Sequence, residues 1–300
     1  MARTETTYWI HAVSSLHVGA GRGVGFIDLP VMREKATNYP FVPGSSIKGV
    51  IADYYGATKE TRKSNEIFQK AFGKADDDEN PEGRSDANAG SLVFTDARLV
   101  CLPVRSFFGT FAWVSSPFSL SRLKRDLRLT GLPELSLEKN EIACLQGGSG
   151  GVLPGPDGKV YLEDLDFIAC DRDVSPWAEL IAESVFKGTE WFDLFGKRFA
   201  VVSDDAFSFL AETGTEVAAR VRIDPEKKIV AKGALWYEES LPAETILAGT
   251  VWCDRVFGPA GQKLTAEDLF KEFCSGEILL QLGGKATTGK GLVRCLFRGR

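Results

Sequence analysis

Close cysteine pairs, abundant histidine and long apolar runs are all missing from this chain of 300 residues. The six cysteines, Cys101, Cys144, Cys170, Cys253, Cys274 and Cys295, stand singly. Most sit in apolar strings such as LVCLPV and VRCLFR, which predicts buried free thiols in a reducing compartment. Without a CxxC pair a cysteine zinc site is excluded, and two histidines, His11 and His17, exclude a histidine-rich centre. No apolar run approaches the roughly 20 residues of a membrane span. The N-terminal stretch MARTETTYWIHAV has no secretory h-region, so the expectation is a cytoplasmic protein that does not engage a membrane. What is present is ordinary for a globular protein: 44% hydrophobic and 26% charged residues, enough for a sizeable core without disulfides.

A net charge of −5 hides an uneven distribution. Residues 98–130 carry Arg98, Arg105, Arg122, Lys124, Arg125 and Arg128 against Asp126 alone. Residues 281–300 carry Lys285, Lys290, Arg294, Arg298 and Arg300 with no acid. The acidity is concentrated elsewhere, notably in KADDDENPEGRSD at 74–86. Local potential governs polyanion binding more than net charge does, so two basic tracts on an acidic body are compatible with a nucleic-acid partner.

Alternation predicts a strand over 6–15, followed by a loop with glycine at every second position, Gly19, Gly21, Gly23 and Gly25. Helices are predicted at 46–56, with Ser45 and Ser46 as caps, at 60–72, and at 117–129 behind Pro117. Residues 73–90 read as a mobile acidic insertion. Strands are expected at 91–104 and 160–169, with a flexible loop over 130–160 between them, a helix near 176–187, and a mixed strand–helix region over 199–211. A hairpin follows at 217–237 around DPEKK. A helix at 265–274, a strand at 277–282, a glycine loop at 283–291 and a last strand at 292–297 close the chain. Hairpins and insertions break any regular βαβ rhythm, so the fold class is α+β with an antiparallel or mixed sheet.

Two glycine motifs fail nucleotide tests. The first loop reads GxGxGxG and runs into FIDLP, whereas a dinucleotide fingerprint is GxGxxG opening a helix. The stretch GGKATTGKG has Gly284, Gly289 and Lys290 at P-loop spacing, but Gly291 replaces the metal-binding hydroxyl and a strand follows. Both loops instead offer backbone N–H groups and little steric bulk, which suits close approach to a phosphate–sugar chain. Lys48, in the first turn of a helix, adds a cation to helix-terminal amides. Asp28, beside the first loop, reads either as a turn acid or as a metal ligand or proton acceptor; Glu238 and Glu239 form a second acidic pair, which taken alone is more often surface charge.

The order of these pieces resembles a known family. The run GAGRGVGFIDLPVMREKATNYPFVPGSSIKG (19–49) and the terminal GGKATTGKGLV resemble the signatures of RAMP-superfamily proteins of CRISPR effector complexes. With PVRSFFGTFAWVSSPFSLSRLKRD (103–126) and GALWYEESLP (233–242) they look like the backbone subunit of the type III-B effector, the Cmr complex, and the wording IDLPVMRE favours it over the type III-A subunit, which is similar in the GSSxKG segment. The resemblance implies one RAMP-type domain over 1–300, with an RRM-like, ferredoxin-type core, large insertions and a palm-and-thumb build, the thumb hairpin lying within 190–245. It implies partners: a guide CRISPR RNA, a single-stranded target RNA, other Cmr subunits, and further copies of the chain in a helical filament. It implies metal-dependent endoribonuclease activity on target RNA at regular intervals, for antiviral defence, with Asp28 as the catalytic and metal-binding aspartate.

Beside Asp28, the site expected from that resemblance comprises His17, Glu238 and Glu239 near the scissile bond, and Lys48, Arg22, Ser45, Ser46, Lys285, Lys290, Gly284 and Gly289 on RNA. A single aspartate is a thin ligand set, so the cofactor expected is a weakly held Mg²⁺ or Mn²⁺ completed by RNA phosphate. The competing readings are a non-catalytic RNA scaffold in which Asp28 only shapes the loop, and a nucleotide-binding enzyme built on GGKATTGKG.

Overall fold

The structure is a computed structural model that describes residues 3–21, 23, 25–74, 87–223, 226–228, 230–257 and 264–299. Its frame is a large mixed sheet. In spatial order the sheet runs Glu277–Gln281, Leu292–Arg298, Thr4–Ala12, Ile246–Cys253, Ala97–Arg105, Phe111–Ser115, Phe199–Val202, Glu141–Cys144, Leu165–Cys170 and Lys159–Leu162. Phe199–Val202 runs parallel to Phe111–Ser115, and Leu165–Cys170 parallel to Glu141–Cys144; the other neighbours along this order are antiparallel. The expected α+β build with a mixed sheet therefore holds.

The first strand explains how the sheet is sandwiched. Tyr8, Ile10 and Ala12 belong to one apolar cluster, and Trp9, between them, to the other. Period-2 alternation here sorts large side chains onto two covered faces. On the first face Ile47 and Ile51 of the helix Gly44–Tyr54, and Leu269 and Phe273 of Ala266–Phe273, pack down. On the second lie Leu120 and Leu123 of Pro117–Asp126, Trp177 and Ile181 of Ser175–Val185, and Phe195 of Trp191–Arg198.

Several local expectations change. The helix expected at 46–56 begins at Gly44, with Pro43 at its N-cap and no side-chain cap, so Ser45 and Ser46 lie inside its first turn. Gly44 starts it because a Cβ there would lie 2.3 Å from Phe94 O. The helix expected over 60–72 breaks at Asn65, whose side chain caps Glu66–Phe72 by accepting from Ile67 N–H. The strand expected at 160–169 is a tight hairpin turning at Glu163, where φ is 50°. The loop expected over 130–160 contains the strand Glu141–Cys144.

The 73–90 insertion lies mostly outside the described residues; its ends, Gly73–Lys74 and Asn88–Ala89, pair antiparallel. Within 190–245, the helix Trp191–Arg198, the strand Phe199–Val202 and the helix Asp204–Thr213 join the body. Glu216–Ile223 and Val230–Ser240 form a separate two-stranded sheet, the hairpin expected from sequence. All six cysteines are free, five of them buried. Among the described residues no helix is long and apolar enough to cross a membrane.

Candidate RNA-cleavage site

Three segments far apart in sequence meet at the root of the long hairpin. The first glycine loop lies against the hairpin strand through the parallel bridge Leu29–Glu238: Leu29 N–H donates to Tyr237 O at 3.1 Å and Glu239 N–H to Leu29 O at 2.9 Å. This brings Asp28 to the hairpin, where its Oδ2 accepts from Tyr237 N–H at 2.8 Å. Asp28 is exposed, so its carboxylate is tethered at one oxygen and open to solvent. The C-terminal glycine loop closes the cluster from the other side. Gly284 N–H donates to His17 O at 2.9 Å, and Gly283, at φ 76°, would drive a Cβ to 2.2 Å from that same oxygen.

His17 is the buried hinge of this arrangement. Its Nδ1 donates to Glu239 O at 2.6 Å, because a carbonyl only accepts. Its Nε2 faces Gly19, where a Cβ would come within 3.0 Å. The ring is covered by both glycine loops and the hairpin, so the placement is one that orders loops, not one that meets a phosphate.

The two glutamates are also interior. Glu238 Oε1 accepts from Lys285 Nζ at 2.7 Å and from Trp236 Nε1 at 2.7 Å, with Arg220 Nε 3.4 Å from Oε2. Burial alone would raise its pKa, but Lys285, Trp236 and Arg220 outweigh it and hold the carboxyl down to about 2. Glu239 Oε1 accepts from Arg33 at 2.5 Å and Thr215 Oγ1 at 2.8 Å, while Oε2 caps Val31 N–H at 2.9 Å. Both expected auxiliary acids are thus buried and committed to partners within the chain, and neither is exposed beside Asp28. Glu239 clamps the loop carrying Asp28 through Val31 and Arg33, and Glu238 clamps the C-terminal glycine loop to the hairpin through Lys285.

The expected RNA-binding residues divide. Lys285 stands at φ 67°, partly exposed and committed to Glu238. Gly284 and Gly289 are exposed on the loop surface. Lys290 is 7% exposed, its Nζ donates to Ser240 Oγ at 2.5 Å, and burial lowers its pKa, so in this structure it pins the loop to the hairpin. Arg22 lies outside the described residues.

Lys48, with Ser45 and Ser46, forms a second cluster on the helix Gly44–Tyr54. Ser45 is exposed and Ser46 half-buried. Lys48 Nζ donates to Leu92 O at 2.8 Å, and burial together with the nearby Arg62 lowers its pKa. Beside it a cleft of about 280 Å³ is lined by Lys59, Arg62, Lys63 and Lys74 together with one acid, Asp53, and by Ala57 and Thr58. This crowding of cations escaped the sequence reading because Glu60, Glu66 and the acidic insertion dilute it along the chain.

Conversely, the two tracts read as basic are largely neutralised by the fold. Arg122 makes two hydrogen bonds to Glu34, which Arg98 also approaches at 3.4 Å; Asp126 takes Arg98 and Arg125, and Arg128 meets Glu5. Arg294 pairs with Glu277. Arg33 and Thr215, the partners of Glu239, were also missed, since neither carries a motif. Among the described residues no three His, Cys, Asp or Glu side chains group as a metal cage.

Comparison with known proteins gives the same direction. The family model described as the RAMP superfamily matches residues 9–294. The CRISPR system Cmr endoribonuclease Cmr4 of Pyrococcus furiosus is 33% identical over 295 residues, covering 96% of this chain and 94% of the relative. A crystal structure of oligomeric Cmr4 from the same organism superposes with a TM-score of 0.69 at 25% identity, covering 100% of this chain and 99% of that one. The CRISPR system Cms endoribonuclease Csm3 of Mycobacterium tuberculosis matches only 33% of this chain and 43% of its own length, at 36% identity.

Proposed function

The chain belongs to the RAMP superfamily, and on that premise we propose that it is the guide-RNA-binding backbone subunit of a type III-B CRISPR effector and an endoribonuclease acting on target RNA within that complex. The full-length match to a Cmr endoribonuclease, against a one-third match to a Cms endoribonuclease, favours the type III-B assignment. The observation that carries the catalytic part is the exposed Asp28 carboxylate, held on the hairpin root by Tyr237 N–H while the neighbouring Glu238 and Glu239 are buried and engaged.

In this reading the central part of the sheet is the RRM-like palm and the hairpin Glu216–Ser240 the thumb. Residues opposite one another on paired strands share a face, so Ala219 with Tyr237 and Val221 with Leu235 line one side of the hairpin. Val221 and Leu235 are solvent-exposed there, as is Phe26 on the adjoining loop, set edge-on to Tyr237. Such an apolar face suits wedging between stacked bases and so displacing a nucleotide beside Asp28. Base pairing with the guide supplies sequence specificity, which leaves the protein to bind phosphates and shape. Lys48 and the cleft of Lys59, Arg62, Lys63 and Lys74 then serve the guide backbone, and repeated copies along the guide set the regular interval.

The donor chemistry at Asp28 fits a weakly held Mg²⁺ or Mn²⁺: a single exposed carboxylate offers hard oxygen and leaves remaining positions to water and RNA phosphate. When bound, the ion neutralises charge on the transferring phosphate. Asp28 holds its carboxylate at the loop surface; Glu239, Arg33 and His17 fix the loop; and the hairpin sets the in-line geometry that attack by a neighbouring 2′-hydroxyl requires.

The test is cleavage of an end-labelled RNA complementary to the guide by the assembled complex, with Mg²⁺ or with EDTA. A metal-dependent, regularly spaced ladder that disappears with Asp28→Ala in a complex that still assembles is the expected result. An unchanged ladder leaves the chain as an RNA-organising scaffold.

A further inference from the structure

Three aromatic rings and two carboxylates gather in a cleft that the RNA reading does not use. Phe107, Phe108, Pro156, Asp157, Tyr161 and Glu163 line an open cavity of about 440 Å³. Phe107, on the turn between the strands Ala97–Arg105 and Phe111–Ser115, is 81% exposed, more than any other large apolar side chain among the described residues. Its ring centroid lies 5.0 Å from Phe108 and 6.3 Å from Tyr161, and Phe108 lies 6.4 Å from Tyr161.

The cleft is held in shape by main-chain bonds. Ser106 N–H donates to Thr110 O, Phe107 N–H to Tyr161 O, and Glu163 N–H to Arg105 O. Phe108 covers Gly155, where a Cβ would lie 2.6 Å from its ring. Asp157 accepts from Tyr161 Oη at 2.5 Å and from Lys159 N–H at 3.2 Å, bonds that hold it ionised. Glu163 is exposed and makes no ion pair among the described residues. Among the described residues no cation lines the cleft. Lys159 is committed to Asp166 at 2.7 Å and Arg198 to Gly109 O at 2.9 Å; Arg105, also exposed, flanks the turn.

The chemistry of these walls discriminates among ligands. A nucleic acid can stack a base on Phe107, but it carries its phosphates toward Asp157 and Glu163, which repel them. A purely apolar partner strands both carboxylates in its interface. A guanidinium satisfies every wall at once: its plane stacks on the ring faces and its fork of N–H donors meets the carboxylates. We propose that this cleft is a docking site for an arginine side chain on a basic segment of a partner protein in the assembly. That a partner is at hand rests on the reading of the chain as a complex subunit; the cleft's preference for arginine does not depend on guide or target RNA.

The experiment is an NMR titration of the full chain labelled at Phe and Tyr rings. The probes are the peptide acetyl-Gly-Arg-Gly-Arg-Gly-amide, the same peptide with citrulline replacing arginine, and a short oligouridylate. The arginine peptide should shift the Phe107, Phe108 and Tyr161 resonances saturably and bind at least about tenfold more tightly than the uncharged citrulline peptide. Phe107→Ser and the pair Asp157→Asn, Glu163→Gln should each weaken it about fivefold or more, while Phe107→Trp keeps it. Equal binding of the citrulline peptide, absence of any shift, or preferential perturbation by oligouridylate overturns the proposal. Asp28→Ala leaves peptide binding intact, so this inference and the cleavage assignment fail separately.

Discussion

Asp28 and Tyr237, 209 residues apart, are joined at 2.8 Å by a hydrogen bond from the main chain of the hairpin to the exposed carboxylate of the glycine loop. The bond separates two roles of one side chain, its shape and its charge. Asp28→Asn keeps an oxygen that accepts from Tyr237 N–H but removes the charge; Asp28→Ala removes both. Both variants should lower target cleavage by on the order of a hundredfold or more, as loss of a charge-stabilising group does. Asp28→Asn should melt within about 0.5 kcal/mol of wild type, being a surface change. Full cleavage by Asp28→Asn would show that the residue only shapes the loop.

Glu239 should behave in the opposite way. Its carboxylate joins Arg33, Thr215 Oγ1 and Val31 N–H in the interior. Removing it in Glu239→Ala leaves Arg33, still bonded to Asn38 O and Ala211 O, without its counter-charge and Val31 N–H without its acceptor, which costs on the order of 3 kcal/mol. Denaturant unfolding of the isolated chain reads this directly. A variant of wild-type stability would return Glu239 to the catalytic candidates.

Glu238 provides a pH signature. Its carboxyl is held down to about 2 in the folded chain and titrates near 4.5 when unfolded, so the folded state favours the ionised form. The stabilisation is therefore complete above the unfolded value and fades as pH falls from about 4.5 to about 2. A shift of this size corresponds to on the order of 3 kcal/mol. Glu238→Gln should flatten the acid limb of the stability curve across that window. An unchanged limb would mean that the Lys285 pair contributes nothing to the fold.

Sequence exposed the pieces of this site that carry their own chemistry, the two glycine loops, Asp28 and Lys48, because special backbone conformations and helix-terminal cations leave local marks. It hid the contacts that assemble them. Arg33 reaches Glu239 across 206 positions, and nothing in its neighbourhood announces a partner. The strand Ile246–Cys253, at the centre of the sheet, passed unread because it is buried almost throughout and shows little alternation. Charge counting along the chain misjudged residues 98–130 for the same reason: Glu5 and Glu34, which neutralise Arg128 and Arg122, come from elsewhere.

Gly283 tests the closure of the site without touching its chemistry. Its φ is 76°, and a Cβ there would approach His17 O to 2.2 Å, so alanine is doubly unfavourable. The obstacle is backbone that cannot rotate away. Gly289 has a similar φ of 80° but open space around it. Gly289→Ala should cost only the left-handed penalty of about 1–2 kcal/mol. Gly283→Ala should cost clearly more, and should lower cleavage by loosening the loops that meet on His17. Equal costs for the two would show that the C-terminal loop is not packed on the first.

Lys48 decides whether the second cluster serves RNA. Burial and the nearby Arg62 lower its pKa, so keeping these cations together costs the fold stability, and an RNA phosphate would relieve that cost. If Lys48 neutralises one phosphate per subunit, Lys48→Ala should make the slope of log K against log salt for guide RNA shallower by about 0.7 per subunit bound, the single-strand value. Affinity should fall for guides of every sequence alike, since a phosphate contact carries no base information. Lys290→Ala, the buried counterpart, should change stability and leave the slope as it is, because its ammonium is turned to Ser240 and not to solvent. A slope altered by Lys290 and not by Lys48 would reverse the assignment of the two lysines, and with it the path of the guide over the protein.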